Sequence, residues 1–155
     1  MTRWELRRVD MRRLSFSPTE IVGKGRPRMD TRSRRTYTPA KTRRAEDSIR
    51  REWRNVHGED MAAFADPVVV RVAYTRPLAK SNPKYWAGRS DLGKPDADNV
   101  LKLVLDALNG LAFSDDAHII SLHVEKFPRS PHGNQPHMDI TVIYYKEVRH
   151  EDSQG

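Results

Sequence analysis

Apolar residues recur at every second position along residues 67–75, PVVVRVAYT, so Val68, Val70, Val72 and Tyr74 share one face of a predicted strand. The same period returns over residues 118–127 and 138–145. The turn-rich PRSPHGNQP joins these two runs and predicts an antiparallel hairpin. Residues 11–22, MRRLSFSPTEIV, read as a short strand and turn. Two stretches follow a helical period instead. Thr38 is a helix N-cap with Pro39 at the first helical position, and Ala45, Ile49, Trp53 and Val56 then form one stripe up to His57 and Gly58. Over residues 98–109, Val100, Leu101, Leu103, Val104, Leu105, Ala107 and Leu108 cover most of the helix circumference. Asn99, Lys102, Asp106 and Asn109 are left on one narrow polar stripe, with Asp98 at its edge. A helix apolar on so many sides is largely buried, and its polar stripe must open onto solvent or a site.

The order β-α-β-α-β-β predicts an α+β fold, a small mixed sheet with two main helices packed on it. A chain of 155 residues fits a single domain spanning 1–155, with the extension 1–11 and the tail 147–155 read as frayed. No apolar run reaches the ~20 residues of a membrane span, and the N-terminus lacks the apolar stretch of a secretory signal. With no cysteine there is no disulfide or thiolate metal site. These features predict a cytoplasmic protein without membrane contact. Residues 76–95 form a long loop holding Lys80, Lys84, Tyr85, Trp86 and Arg89, a length that is uncommon in a small domain unless it serves function or is disordered.

Charge is distributed unevenly. Residues 1–50 hold 15 of the 28 Lys and Arg but 6 of the 21 Asp and Glu, a balance of +9 within a total of +7. The segment 23–37, GKGRPRMDTRSRRTY, concentrates Lys24, Arg26, Arg28, Arg32, Arg34 and Arg35 against Asp30, and its glycines and proline make it a loop. Arginine's planar fork suits phosphate, so the chain is expected to bind nucleic acid.

The buried helix opens with Asp96 and Asp98. One of them could cap it, but a helix needs only one cap. In extended backbone, residues two apart point the same way, so both carboxylates could meet at one point, where hard oxygen ligands favour Mg²⁺ or Mn²⁺. A second pair, Asp115 and Asp116, follows the helix. About 12 residues of helix, ~18 Å, separate the two pairs unless the next strand runs back or a partner chain supplies the contact.

Lys94-Pro95-Asp96-Ala97-Asp98-Asn99, then Lys102, then Leu105-Asp106-Ala107-Leu108-Asn109-Gly110, then Asp115-Asp116 resembles the RusA family of Holliday junction resolvases. The early GKGRPR segment and the Tyr37-Thr38-Pro39 helix start are also similar, so the resemblance spans roughly residues 12–145. It implies a Mg²⁺-dependent endonuclease of phage or prophage type, with Mn²⁺ able to substitute, that cuts four-way DNA junctions as a homodimer. Carried over residue by residue, Asp96, Asp98 and Asp116 or Asp115 would be catalytic metal ligands, and Lys102 would stabilise charge near the transition state unless it forms an i, i+4 ion pair with Asp98 or Asp106. Asn99, Asp106 and Asn109 would support the site from behind. His118 stands where the family often has Gln. The basic loop with Lys80, Lys84 and Arg89 would track phosphates, while Tyr85 or Trp86 could stack on an unpaired base or pack under its loop. The alternatives are a non-catalytic DNA-binding protein of the same fold and a nuclease for other branched nucleic acids.

Overall fold

A computed structural model describes residues 1–25, 28–37, 39–59 and 67–152. Among these residues the elements are β1 (Thr2–Phe16), β2 (Arg28–Met29), β3 (Thr36–Tyr37), α1 (Ala40–His57), β4 (Val68–Thr75), α2 (Ala97–Leu108), β5 (Ile119–Lys126) and β6 (His137–Glu151). Four strands form a mixed sheet in the order β1-β6-β4-β5, so the fold is α+β as expected. No helix among the described residues is long and apolar enough to cross a membrane.

β4 carries the clearest alternation in the chain, and it is a central strand. Val68, Val70, Val72 and Tyr74 are buried on the face that both helices cover, while Arg71 on the other face is exposed. β4 pairs antiparallel with β6, setting Val70 opposite Val142 and Val72 opposite Ile140. It pairs in parallel with β5, setting Val72 opposite Val124. A parallel neighbour requires a crossover connection, which α2 supplies.

This topology overturns the expected hairpin of the last two strands, because β4 lies between β5 and β6. Their connection does not close as a tight turn. Its backbone bonds instead to the loop after β4: Leu78 N–H donates to the Ser130 carbonyl at 2.8 Å, Gly88 N–H to Arg129 at 2.8 Å and Arg129 N–H to Arg89 at 2.9 Å. Those bonds hold the connection across the end of β4.

The chain ends also differ from expectation. β1 begins at Thr2 rather than near residue 11, and its pairing with β6 runs from Phe16 opposite Met138 out to Thr2 opposite Glu151. Residues 2–11 and 147–151 are therefore paired strands, not frayed ends. Both faces of that outer stretch are largely exposed, so no hydrophobic period longer than Trp4 and Leu6 marks it in the sequence. Thr38 lies outside the described residues; Pro39 occupies the N-cap position of α1. The buried stripe of α1 is Thr42, Glu46, Ile49 and Trp53, and Val56 is exposed rather than part of it. α2 buries Val100, Leu103, Val104, Ala107 and Leu108, with Leu101 and Leu105 partly covered, as the near-continuous apolar wheel requires.

Candidate active site

Asp96 is the N-cap residue of α2, yet its side chain makes no capping bond. The Asp96 backbone carbonyl accepts from Asn99 N–H and Val100 N–H, both at 3.1 Å, and its carboxylate accepts from Lys94 Nζ at 2.8 and 3.0 Å. That bond and the Lys94 charge hold the Asp96 carboxyl below its ordinary pKa. Asp98 sits exposed in the first turn. The helix start thus uses neither carboxylate as a cap, and both stand at its solvent-facing mouth. Lys102 is exposed one turn further on. Among the described residues it forms no ion pair, which removes the structural reading of it as a partner of Asp98 or Asp106.

Asp106 has another partner. Lys24 Nζ bonds Glu46 of α1 at 2.6 Å and Asp106 of α2 at 2.9 Å. Burial opposes the charged ammonium, but the two carboxylates outweigh it and raise the Lys24 pKa. Lys24 N–H also donates to the Asn99 carbonyl at 2.9 Å. Gly23 makes that approach possible, since a Cβ there would lie 2.9 Å from Pro95 Cβ and 3.1 Å from Asn99 Cβ. Lys24, which the sequence placed among the phosphate contacts, ties the basic segment across both helices through its ion pairs with the two carboxylates. Glu46 escaped the sequence reading, although its place on the buried stripe, four residues after Thr42 and three before Ile49, marks it.

Arg28, Arg32, Arg34 and Arg35 sit on a small hairpin rather than a plain loop. Arg28 pairs with Tyr37 and Met29 with Thr36. Asp30 closes the turn by accepting from Arg32 N–H at 3.0 Å and Ser33 Oγ at 2.9 Å. Arg32, Arg34 and Arg35 are exposed at this tip, while Arg26 lies outside the described residues.

Residues 76–95 are organised by a buried ion cluster that the sequence reading missed. Asp91, with 1% of its side chain exposed, accepts Arg76 Nε at 2.7 Å and Nη2 at 2.6 Å, and Arg129 stands 4.0 Å away. Burial alone would raise the Asp91 pKa; the Arg76 bonds bring it below its ordinary value. Arg129 donates in turn to the Pro77 carbonyl at 2.7 Å, and Lys126 Nζ to the Gly93 carbonyl at 2.6 Å. So anchored, the loop presents Lys80, Lys84, Tyr85 and Arg89 to solvent. Tyr85 does not pack beneath it. Trp86 is half-buried, with the Arg89 guanidinium 5.2 Å from its ring centre.

The second acidic pair lies in a 3-10 turn entering β5. Asp115 accepts from Ala117 N–H at 3.0 Å, which lowers its pKa. Asp116 is raised, first by hydrogen bonding with the neighbouring Asp115 carboxyl and then by loss of solvation and the Asp115 charge. His118 Nδ1 lies 3.0 Å from Ser114 Oγ. Asn109 is exposed at the end of α2.

One chain keeps the two acidic pairs apart. Asp96 feels the charge of Lys126, at the end of β5, whereas Asp116 feels Asp106, in the last turns of α2. The length of α2, about 18 Å, lies between them. Among the described residues no group of three or more acidic or histidine side chains could hold a metal. Asp96 and Asp98 nonetheless fit part of a hard cation's donor set, being oxygen ligands free of capping bonds.

A basic α+β protein with solvent-facing carboxylates at a buried helix start and exposed arginines on its hairpin and loop has the make-up of a protein that acts on nucleic-acid phosphates. The model of the family described as "Endodeoxyribonuclease RusA" matches residues 18–143. The chain belongs to that family of endodeoxyribonucleases, which act on Holliday junctions. It is also 30% identical over 133 residues to "Uncharacterized protein YqaN" of Bacillus subtilis (strain 168), covering 79% of this chain and 89% of that one.

Proposed function

We propose that this protein is a metal-dependent, structure-selective endodeoxyribonuclease that resolves four-way DNA junctions by paired nicks, acting as a two-fold homodimer in the cytoplasm. The observation that carries the reading is the start of α2, where Asp96 and Asp98 are free of capping bonds and Lys102 is unpaired among the described residues. Asp96 and Asp98 would hold Mg²⁺ or Mn²⁺, with Asp116 or Asp115 contributing. When bound, such an ion activates water and neutralises charge on the phosphorus oxygens. Lys102 adds a fixed positive charge where negative charge grows in the transition state. The Lys24 bridge fixes α2 against α1, and the Asp91 cluster fixes the loop whose lysines and arginine contact backbone phosphates.

The homodimer answers the separation of the acidic pairs. β5 is an outer strand with an unpaired edge, and it exposes Ile120 (54%) and Leu122 (49%). Antiparallel pairing of two β5 strands near Leu122 would bury those residues and set each Asp115-Asp116 turn beside the far end of the partner's β5, the end where Lys126 and Asp96 neighbour one another. A four-way junction has approximate two-fold symmetry, and such a dimer offers it two matched sites.

Incubating the purified protein with a labelled synthetic four-way junction and Mg²⁺ tests the reading. Paired nicks are expected; an uncut junction at every metal concentration refutes it. The separation of the acidic pairs within one chain favours a second reading, a non-catalytic DNA-binding protein, only for a protein that stays monomeric. Sedimentation at the concentration used for cleavage distinguishes the two.

A further inference from the structure

β4 stops pairing with β6 at Tyr144, but β1 and β6 continue as a two-stranded ribbon through seven more pairs, from Arg8 opposite Tyr145 to Thr2 opposite Glu151. At about 3.4 Å per residue, this arm extends ~24 Å past the sheet. It lies outside the matched residues 18–143. It leaves the sheet at the end where Val68 pairs with Ile119, so it projects from the end that carries the Asp115-Asp116 turn.

The two faces of the arm differ in chemistry. Trp4, Leu6, Arg8 and Tyr145 point to one side, interspersed with Arg149, Glu147 and Glu151. The other side carries Arg3, Arg7 and Lys146, all exposed, with Glu5, Val148 and His150. Glu5 is the lone carboxylate there, and it is held by His150 at 2.6 Å and by Arg7 at 3.7 Å. Arg3 and Lys146 form no ion pair among the described residues. A narrow, two-stranded basic surface projecting from a domain complements a polyanion, and a ribbon of this kind is the width of a DNA major groove.

We propose that this arm is a second DNA contact, in which Arg3, Arg7 and Lys146 grip the backbone of a duplex limb running away from the cleavage point. The inference rests on the DNA-processing reading above, and it adds reach along the limb rather than chemistry.

The test is the full-length triple variant Arg3→Ala, Arg7→Ala, Lys146→Ala, titrated against a fluorescent four-way junction in EDTA across a salt series. The strands pair through their backbones, so the arm should persist, and an unchanged melting temperature and far-ultraviolet circular dichroism spectrum check that. Kd should weaken about tenfold or more at ~0.1 M salt, and the slope of log Kd against log salt should flatten by about 3, near 0.9 per lost phosphate contact. An unchanged slope overturns the proposal. So does a Trp4→Ala variant that keeps the wild-type slope while raising the dimer dissociation constant in sedimentation, because the arm would then be a protein contact. If the wild-type protein itself fails to bind the junction, the functional reading falls, a result separable from failure of the arm alone.

Discussion

Replacing Lys24 with Met separates two incompatible roles for one lysine. If Lys24 is the bridge between α1 and α2, its loss strands Glu46, whose side chain is 11% exposed, and leaves Asp106, 36% exposed, largely to solvent. A lost hydrogen bond to a mostly buried charge costs about 1.5–3 kcal/mol. The Asp106 pair, a third exposed, adds only about 0.5 kcal/mol after solvent screening. The expected loss is about 2–3 kcal/mol, a fall in Tm of roughly 5–10 °C for a domain of this size. Adding Glu46→Gln to the Lys24→Met variant removes the stranded charge and should recover more than about 1 kcal/mol in a double-mutant cycle. The raised pKa of Lys24 fixes the sign with pH. Its contribution is fully present below the unfolded lysine value near ~10.4 and disappears as pH climbs through the higher folded value, so wild type and variant should converge only in strong alkali. Thermal melts at several pH values and a salt-dependent junction titration are the assays. An unchanged Tm together with a salt slope flattened by about one would refute the bridge and return Lys24 to the phosphate contacts.

Asp91→Asn should cost about 3–5 kcal/mol at neutral pH by leaving Arg76 without its buried counter-charge, read as a large drop in Tm. Because the folded Asp91 pKa is lowered, the wild-type advantage is present above the unfolded value near ~3.9 and is lost as pH falls through the folded value, so melts of the two proteins should converge only in acid. Asp96→Asn and Asp98→Asn should bind the junction with wild-type affinity yet fail to cut it in a gel assay. Asp96→Ala should change stability by less than about 0.5 kcal/mol, since no capping bond is lost; a loss near ~1 kcal/mol would restore the capping role. Lys102→Met should slow single-turnover cleavage by about 100-fold or more with little change in Kd or Tm, and a matched loss of binding would place it among the phosphate contacts instead. Leu122→Lys should yield a folded monomer in sedimentation that no longer cuts, whereas a variant that remains dimeric would move the interface away from β5.

What could be read directly from the chain were the elements whose burial is one-sided and local. The alternation of residues 68–74 and the nearly all-round apolar wheel of 98–109 each reflect a single packed face, and both became the elements they predicted. The basic loop could be located but not assigned residue by residue, because Lys24 and Arg32 look alike until Glu46 and Asp106 are brought within reach of one of them. Pairing order was similarly hidden. Residues 118–127 and 138–145 alternate as a hairpin would, but periodicity shows only which side of a strand is buried, not which neighbour it takes; the bonds from the connecting segment to Leu78 and Gly88 decide that. The outer half of β1 gave only the short Trp4 and Leu6 alternation, since a ribbon exposed on both faces is held chiefly by backbone bonds that carry no side-chain signature.

The candidate site makes the same point at the level of mechanism. Sequence order groups Asp96, Asp98, Lys102, Asp115 and Asp116 within about 20 positions, which suggests one cluster. The fold instead uses α2 as a spacer, and the parallel β5 then runs back toward the start of that helix, ending where Lys126 meets Gly93. The two acidic pairs therefore mark opposite ends of one outer strand. Strands related by a two-fold axis across such an edge run antiparallel, so each end meets the opposite end of its neighbour. On the proposed reading, a chain that has not paired lacks a full set of metal ligands, and cleavage begins only once two sites exist to make two nicks.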